Sequence, residues 1–168
     1  KQKTAYEITV HLASSTTVTD NTTKHKVVSA LSIPGYNYLN GTLTMDLVVE
    51  PSISHNVFTF KYEPIDYTIS YNLNGGAVTS ANPTTYNIRS AAITLNNPAK
   101  TGYTFLGWTG TNLSGVTERV TIPTGSMGNR SYTANWKINT FTITTSAANG
   151  TITPTATVDY GTNKTVTY

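Results

Sequence analysis

The sequence predicts a mainly β protein that is built from small sheet modules in tandem, and three observations support this prediction. Threonine is the commonest residue, and charged residues make up 11% of the chain, well below the ~25% of an average soluble protein. Several short segments alternate apolar and polar residues, as strands with one buried face do. The chain also repeats part of itself, which is typical of arrays of small structural units.

The internal repeat predicts the domain organisation. Residues 61–76 align without gaps with residues 135–150, and in both copies a strand pattern ends at an aromatic residue before a new alternating strand leads into Asn-Gly. The spacing between the copies is the same at the aromatic residue and at the first residue of the new strand. We therefore expect a first module over 1–63, a second over 64–138 and the start of a truncated third over 139–168.

In the first module, the alternation of apolar and polar residues predicts strands at 6–12, 43–49 and 57–62. A polar stretch over 14–26 is expected to form a hairpin loop and its flanks. The apolar residues within 27–31 fit either a short helix or a strand. The first module is therefore expected to be a small group of strands with at most one short helix.

In the second module, alternation predicts a strand over 67–73 that runs into a turn at 74–76. The turn is predicted by Asn-Gly-Gly, because Asn and Gly both tolerate positive φ. A helical turn or another strand fits 85–95. An aromatic strand over 103–108 and a closing strand over 132–136 complete the unit.

Large aromatic residues are concentrated in the second module, and we predict that they form its core. The chain contains no cysteine, so a unit of about seventy residues must be stabilised by packing without disulfides. The predicted core residues are Tyr67, Ile69, Tyr103, Phe105, Trp108 and Trp136. An exposed platform that stacks on sugar rings is the alternative role for the two tryptophans.

Two further tyrosines are candidates for contacts with a partner. Tyr38 and Tyr86 lie outside the apolar alternation. Because a tyrosine combines an apolar ring with a polar hydroxyl, an exposed one suits contact with a protein or a sugar. We therefore predict both as exposed contact residues.

Residue arrangements typical of catalysis are missing from the sequence. The three histidines, His11, His25 and His55, stand in separate segments without the spacing of metal ligands. Motifs of serine hydrolases, phosphate-binding loops and dinucleotide-binding folds do not occur either. We therefore expect no catalytic residue, no metal site and no cofactor.

The charge pattern argues against two classes of partner. The net charge of +3 comes from scattered lysines and arginines without a basic run, so we expect no nucleic-acid binding. No apolar run has the length of a membrane span, so we expect no membrane insertion within these residues. The chain stops inside a strand pattern at 165–168, and we interpret it as a monomeric segment of a longer protein.

Three ordered blocks of residues identify a family. Residues 67–76, 98–108 and 132–137 resemble the internalin B-repeat, also called the Listeria–Bacteroides repeat. In that family a strand leads into Asn-Gly-Gly, a segment Pro-x-(Lys/Arg)-x-Gly-Tyr-x-Phe-x-Gly-Trp follows, and Tyr-x-Ala-x-Trp closes the repeat. Residues 141–168 are similar to the opening of a divergent copy, and residues 6–62 loosely resemble this family or the mucin-binding-protein repeats.

The resemblance implies a small α+β module that is similar to the β-grasp fold: a small twisted sheet with a short helix or turn packed across it. Such modules occur in tandem on surface proteins of Gram-positive and some gut bacteria, where they act as stalks or contact host or matrix partners. The family often has an acidic or polar insertion after its tryptophan. Here residues 110–115 are few and uncharged, so a partner contact in that loop does not transfer to this chain.

The leading functional hypothesis is a non-enzymatic segment of a bacterial surface protein, located outside the cell on the surface or in the cell wall. Its tandem modules would serve as a stalk or as an adhesive region for a host or matrix protein or a glycan. Short connections such as residues 63–66 leave little slack and favour a semi-rigid arrangement. The alternative is a carbohydrate-binding region of a secreted glycan-active enzyme, and a third hypothesis is an enzyme in its own right.

Overall fold

The structure is a computed structural model that describes residues 6–11, 25–29, 32–39, 44–48, 57–150 and 152–167. These residues form strands and turns and contain no helix, which confirms the mainly β prediction. The strands are β1 Tyr6–His11, β2 His25–Ser29, β3 Tyr36–Tyr38, β4 Thr44–Val48, β5 Val57–Pro64, β6 Tyr67–Asn72, β7 Thr85–Tyr86, β8 Ile93–Thr94, β9 Tyr103–Gly110, β10 Thr121–Ile122, β11 Arg130–Ile138, β12 Thr140–Ile143 and β13 Ala156–Asp159. Within this part of the chain, no helix is long and apolar enough to cross a membrane.

Residue contacts divide the chain into two compact units. The first unit comprises residues 1–66 with 87–89, and the second comprises 67–86 with 90–168. The residues of the expected truncated repeat over 139–168 thus fall within the second unit.

In the first unit, β5 is the central strand of a three-stranded sheet and pairs antiparallel with β1 and β3. Phe60 and Tyr62 on β5 are buried. β2 pairs antiparallel with β4, so the segment at 27–31 starts as a strand where a helix was the alternative. The loop predicted over 14–26 lies outside the described residues except for its last two, which belong to β2.

The second unit contains a four-stranded sheet in the order β7, β6, β11, β9. β6 and β11 pair in parallel, with Ile69 opposite Arg130 and Asn72 opposite Thr133. The two outer strands pair antiparallel with their neighbours. The first and last long strands of the unit, β6 and β11, therefore lie side by side in the middle of the sheet. A parallel pair needs a long crossover connection, which the residues between these two strands provide.

A two-stranded ribbon contributes the other side of the core. β8 and β10 pair antiparallel, and the amide of Leu95 donates to the carbonyl of Val120 at 3.0 Å. Together with the sheet, the ribbon and its flanks supply the buried residues of one core: Ile69, Tyr86, Leu95, Trp108, Val120, Ile122, Tyr132 and Ala134. The resemblance implied a short helix or turn packed across the sheet. The described residues contain no helix, and the β8–β10 ribbon lies at this place.

A β-bulge in β9 decides which aromatic residues share a face. Strict alternation would place Phe105 and Trp108 on opposite faces, because their positions differ by an odd number. The pairing of β9 with β11 shifts by one residue at Leu106, so both rings lie on one face, with centroids 5.5 Å apart in a T-shaped arrangement. Gly107 adopts a φ of +135° at this point, which favours glycine over any other residue.

A hairpin follows the sheet after one connecting residue, Asn139. Its strands β12 and β13 pair antiparallel. Both backbone polar groups of Asn139 form hydrogen bonds. Its amide donates to the Gly102 carbonyl at 2.9 Å, and its carbonyl accepts from the Tyr160 amide at 2.8 Å. Its side chain accepts from the Thr104 hydroxyl at 2.6 Å. The hairpin is therefore joined to the edge of the sheet by several hydrogen bonds.

Candidate functional site

Of the six predicted core residues, two lie in the buried core of the second unit. Trp108 is fully buried and Ile69 is 3% exposed. The indole N–H of Trp108 donates to the side-chain oxygen of Asn97 at 3.0 Å, so the polar atom of this residue is satisfied inside the protein. A fully buried ring cannot serve as a stacking platform for sugars.

Three more predicted core residues, Tyr67, Phe105 and Trp136, are partly buried and pack against the core. The indole N–H of Trp136 donates to the Leu73 carbonyl at 3.0 Å. Tyr103 is half-buried and does not belong to the core cluster. Its ring instead lies beneath the ammonium group of Lys100, with 4.1 Å between the nitrogen and the ring centroid, a distance suited to a cation–π interaction.

The Asn-Gly-Gly segment forms the predicted turn. Its two central residues, Asn74 and Gly75, have φ angles of +47° and +80°, and the Gly76 amide donates to the Leu73 carbonyl at 2.9 Å. The Asn74 side-chain amide donates to the Ala134 carbonyl at 2.8 Å. Lys100 donates to the Asn74 carbonyl at 2.9 Å. Two side chains of the repeat motif, Asn74 and Lys100, thus hold the turn in place. Both residues have a structural role here.

The prediction that Tyr86 is exposed is wrong. Its side chain is 4% exposed, its hydroxyl donates to the Gly128 carbonyl at 2.5 Å, and it accepts from the Nε of Arg130 at 2.9 Å. The reason is that β7, only two residues long, pairs with β6 at the edge of the sheet and turns this ring into the core. So short a strand shows no alternation in the sequence.

Tyr38, the other predicted contact residue, is half-buried on β3. Its ring lies 5.8 Å from that of Phe60 and 5.7 Å from that of Tyr62, measured between centroids. Its ring therefore packs against aromatic neighbours on its own sheet and does not stand free as a platform.

A cleft in the second unit combines polar groups with a buried cation. Its volume is about 300 Å³, at the lower end of the range for small-molecule sites. The residues that line it are Thr111, Asn112, Leu113, Val120, Thr121, Pro123, Ser126, Arg130 and Tyr132. Arg130 is only 8% exposed. Burial opposes the charge of this guanidinium, but hydrogen bonds to the hydroxyls of Tyr86 and Tyr132 raise its pKa, so the side chain is positively charged at every physiological pH.

Sequence reasoning missed Arg130, although a signal for it exists. Arg130 has the same parity as Tyr132, Ala134 and Trp136 on β11, and the first two of these three are buried. A charged residue at an inward position of a strand is unusual unless it has partners. The inward position of Arg130 on β11 therefore indicates that this residue has a specific structural or functional role.

A second groove of about 480 Å³ lies at the junction between the sheet and the hairpin, and it is lined by Thr104, Lys137, Ile138, Asn139, Thr140 and Phe141. Phe141 is 53% exposed and Tyr160 is 44% exposed. Their ring centroids are 6.4 Å apart. This junction presents the most exposed aromatic pair of the second unit among the described residues.

Within the described ranges, no three histidine, cysteine, aspartate or glutamate side chains come together as possible metal ligands. His55 lies outside those ranges.

Comparison with known proteins agrees with the motif blocks. The family described as the Listeria-Bacteroides repeat domain matches residues 67–133, which include β6 to β10 and the first four residues of β11. No curated protein and no solved structure matches the chain.

Proposed function

We propose, from the match of residues 67–133 to the Listeria-Bacteroides repeat domain, a repeat typical of bacterial surface proteins, that the chain is a stalk segment that also contacts a partner. The segment is exposed outside the cell, on the surface or in the cell wall. It performs no catalysis of its own. Its partner is a host or matrix protein or a glycan, and the chain acts as a monomer.

The observation that supports a stalk role is the parallel pairing of β6 with β11, from Ile69 opposite Arg130 to Asn72 opposite Thr133. A module in a stalk is pulled through its two chain ends. When the first and last strands are parallel neighbours, such a pull slides one strand along the other. All hydrogen bonds between the two strands then resist the force together instead of opening one after another.

The connections also suit a stalk. Ile65 and Asp66 alone separate β5 from β6, and Asn139 alone separates β11 from β12. Connections this short leave little freedom between neighbouring elements. We therefore propose that the chain is organised as modules over 1–63 and 64–138 followed by the start of a third over 139–168, which transmit tension along the polypeptide.

Single-molecule pulling tests this proposal. Because the chain has no cysteine, pairs of introduced cysteines define where the force is applied. Thr68→Cys with Lys137→Cys pulls the start of β6 against the end of β11 and loads the strands in shear. Thr68→Cys with Ser131→Cys pulls both strands at their starts and peels them apart. All three positions are exposed.

We expect the shear pair to unfold at a clearly higher force than the peel pair at the same loading rate. Both pairs share the Thr68 attachment and differ only in direction, so each is the control of the other. Equal unfolding forces in the two directions would contradict the mechanical role.

A further inference from the structure

Within residues 32–39, 60–150 and 152–167, Arg130 is the one charged side chain that is buried. Its Nε donates to the Tyr86 hydroxyl at 2.9 Å, and its guanidinium lies 5.7 Å from the Tyr86 ring centroid. No carboxylate of the described residues contacts it. A buried cation without a counter-charge is costly, so a negatively charged ligand would gain from pairing with it.

The guanidinium is also held in a fixed orientation. Tyr86 accepts from Arg130 and donates to the Gly128 carbonyl at 2.5 Å, which anchors the hydroxyl on both sides. In the described residues, no buried side-chain nitrogen or oxygen lacks a hydrogen-bond partner. Arg130 lines the cleft, and its planar guanidinium carries further N–H donors beyond the Nε–H that Tyr86 accepts.

The rest of the cleft is lined by hydroxyl groups and apolar surface. The Ser126 hydroxyl donates to the Pro123 carbonyl at 2.7 Å, and the Thr121 hydroxyl bonds that of Thr94 at 3.2 Å. Each hydroxyl is thereby oriented and keeps acceptor capacity. Leu113, with Val120 and Pro123, adds an apolar wall.

We propose that this cleft binds the carboxylate of an acidic sugar residue. A carboxylate matches the planar fork of Arg130 and would form two parallel charge-assisted hydrogen bonds. The sugar hydroxyls would meet Thr121 and Ser126, and the C–H face of the ring would pack on the apolar wall. The volume of about 300 Å³ accommodates one monosaccharide with its first waters. The hydroxyl lining favours a sugar over a peptide carboxylate.

This inference specifies the partner side of the proposed function and does not depend on its mechanical side. Titration of the whole chain with sodium glucuronate, followed by ¹H–¹⁵N NMR, tests it. Glucose serves as the neutral counterpart, acetate as the carboxylate alone and an acetylated dipeptide as a peptide carboxylate. We expect glucuronate to shift the Arg130 Nε–H signal and to bind at least about tenfold more tightly than the other three, since hydrogen bonds to charged groups contribute ~1.5–3 kcal/mol.

Two pairs of variants locate the site. Arg130→Gln should weaken glucuronate binding at least about tenfold, whereas Arg119→Gln, which removes the same charge from an exposed position, should leave it unchanged. Because Arg130→Gln alters a buried residue, Thr121→Asp provides a second test at an exposed position that lines the cleft. Its carboxylate should pair with Arg130 and abolish binding, whereas the neutral Thr121→Asn should retain it.

Three results would overturn the proposal. They are the absence of glucuronate binding at millimolar concentration, equal losses in the Arg130 and Arg119 variants, and equal affinity for the dipeptide, which would assign the cleft to a peptide carboxylate. None of them bears on the pulling experiment, which reports on β6 and β11 alone. The two proposals can therefore fail separately.

Discussion

At the scale of single residues, the aromatic side chains of the second unit use both their apolar surface and their polar atoms. Trp108 is fully buried, contacts Phe105 and Tyr71 through its ring, and satisfies its N–H at Asn97. A large ring that fills the space between a sheet and a ribbon removes far more apolar surface from water than an aliphatic residue does. The stability of this unit, which lacks disulfides, depends on such rings.

Replacement of Trp108 by alanine should therefore unfold much of the second unit. We expect a loss of about 3–5 kcal/mol in the free energy of unfolding, which is a large part of the total for a small domain. Urea unfolding followed by circular dichroism measures it. Leu106→Ala is the matched control on the same strand, because Leu106 is 46% exposed, and a comparable loss in both variants would contradict the assignment.

Tyr71 gives the second unit a pH dependence in the alkaline range. Burial, with a smaller effect of Tyr132, raises the pKa of Tyr71 to about 12, and its hydroxyl donates to the Pro83 carbonyl at 2.8 Å. The pKa in the unfolded chain is about 10. Between these values the unfolded state loses a proton that the folded state keeps, so stability is constant below about pH 10 and falls as the pH rises towards 12.

The comparison of the wild type with Tyr71→Phe measures this effect. The two proteins differ only at this hydroxyl, so the difference between the two curves of unfolding free energy against pH isolates Tyr71. We expect the variant to lose less stability above about pH 10. Parallel curves would show that the Tyr71 hydroxyl does not contribute.

At the scale of elements, the bulge in β9 is the feature on which the aromatic core depends. It brings Phe105 onto the face of Trp108, and it exists because Gly107 has a φ of +135°. A Cβ at this position would lie 2.7 Å from the backbone carbon of Thr117, which pairs with Trp108 in a β-bridge. Backbone atoms cannot yield as a flexible side chain can.

Gly107→Ala should consequently destabilise the second unit by about 1–3 kcal/mol or more, from the strained φ and the backbone clash. Gly115→Ala is the control, since a Cβ there meets nothing within 4 Å and its φ is not positive. That change should be neutral or slightly stabilising. Thermal unfolding of both variants separates the outcomes, and equal melting temperatures would show that the bulge tolerates a side chain.

At the scale of the second unit as a whole, the C-terminal hairpin is attached to the sheet through Tyr160. Its ring occupies the place where a side chain at Gly102 would stand, and its amide donates to Asn139 at 2.8 Å. The hairpin has few buried residues of its own, and an isolated two-stranded hairpin is marginally stable in water. Its order therefore depends on this attachment.

Tyr160→Ala should release the hairpin while the sheet stays folded. We expect faster hydrogen exchange at the amides of β12 and β13 and unchanged exchange in β6 and β11, because local opening follows the local contacts. Tyr160→Phe, which keeps the ring, should behave like the wild type. If Tyr160→Ala exchanges like the wild type in β12 and β13, the attachment lies elsewhere.

How well a feature could be predicted from the sequence depends on how far apart in the chain its interacting residues lie. The strands around Ile69 and Trp108 and the turn at Asn74 were predicted because alternation and Asn-Gly are local signals. Tyr86 was wrongly predicted to be exposed because its strand, β7, has only two residues and therefore shows no alternation of apolar and polar residues. Arg130 was missed as a site residue because its tyrosine partner at position 86 is distant in the chain.

The sequence by itself determined that this protein is mainly β, that residues 67–133 belong to a repeat type and that Ile69 and Trp108 lie in the core of the second unit, because composition, alternation and short motifs are properties of neighbouring residues. Only the tertiary structure decided that β6 lies beside β11 in parallel, that the bulge at Leu106 brings Phe105 onto the face of Trp108, and that a β ribbon packs where a short helix or turn was expected. These features arise from pairings between residues far apart in the chain, where sheet geometry and close packing outweigh local preference.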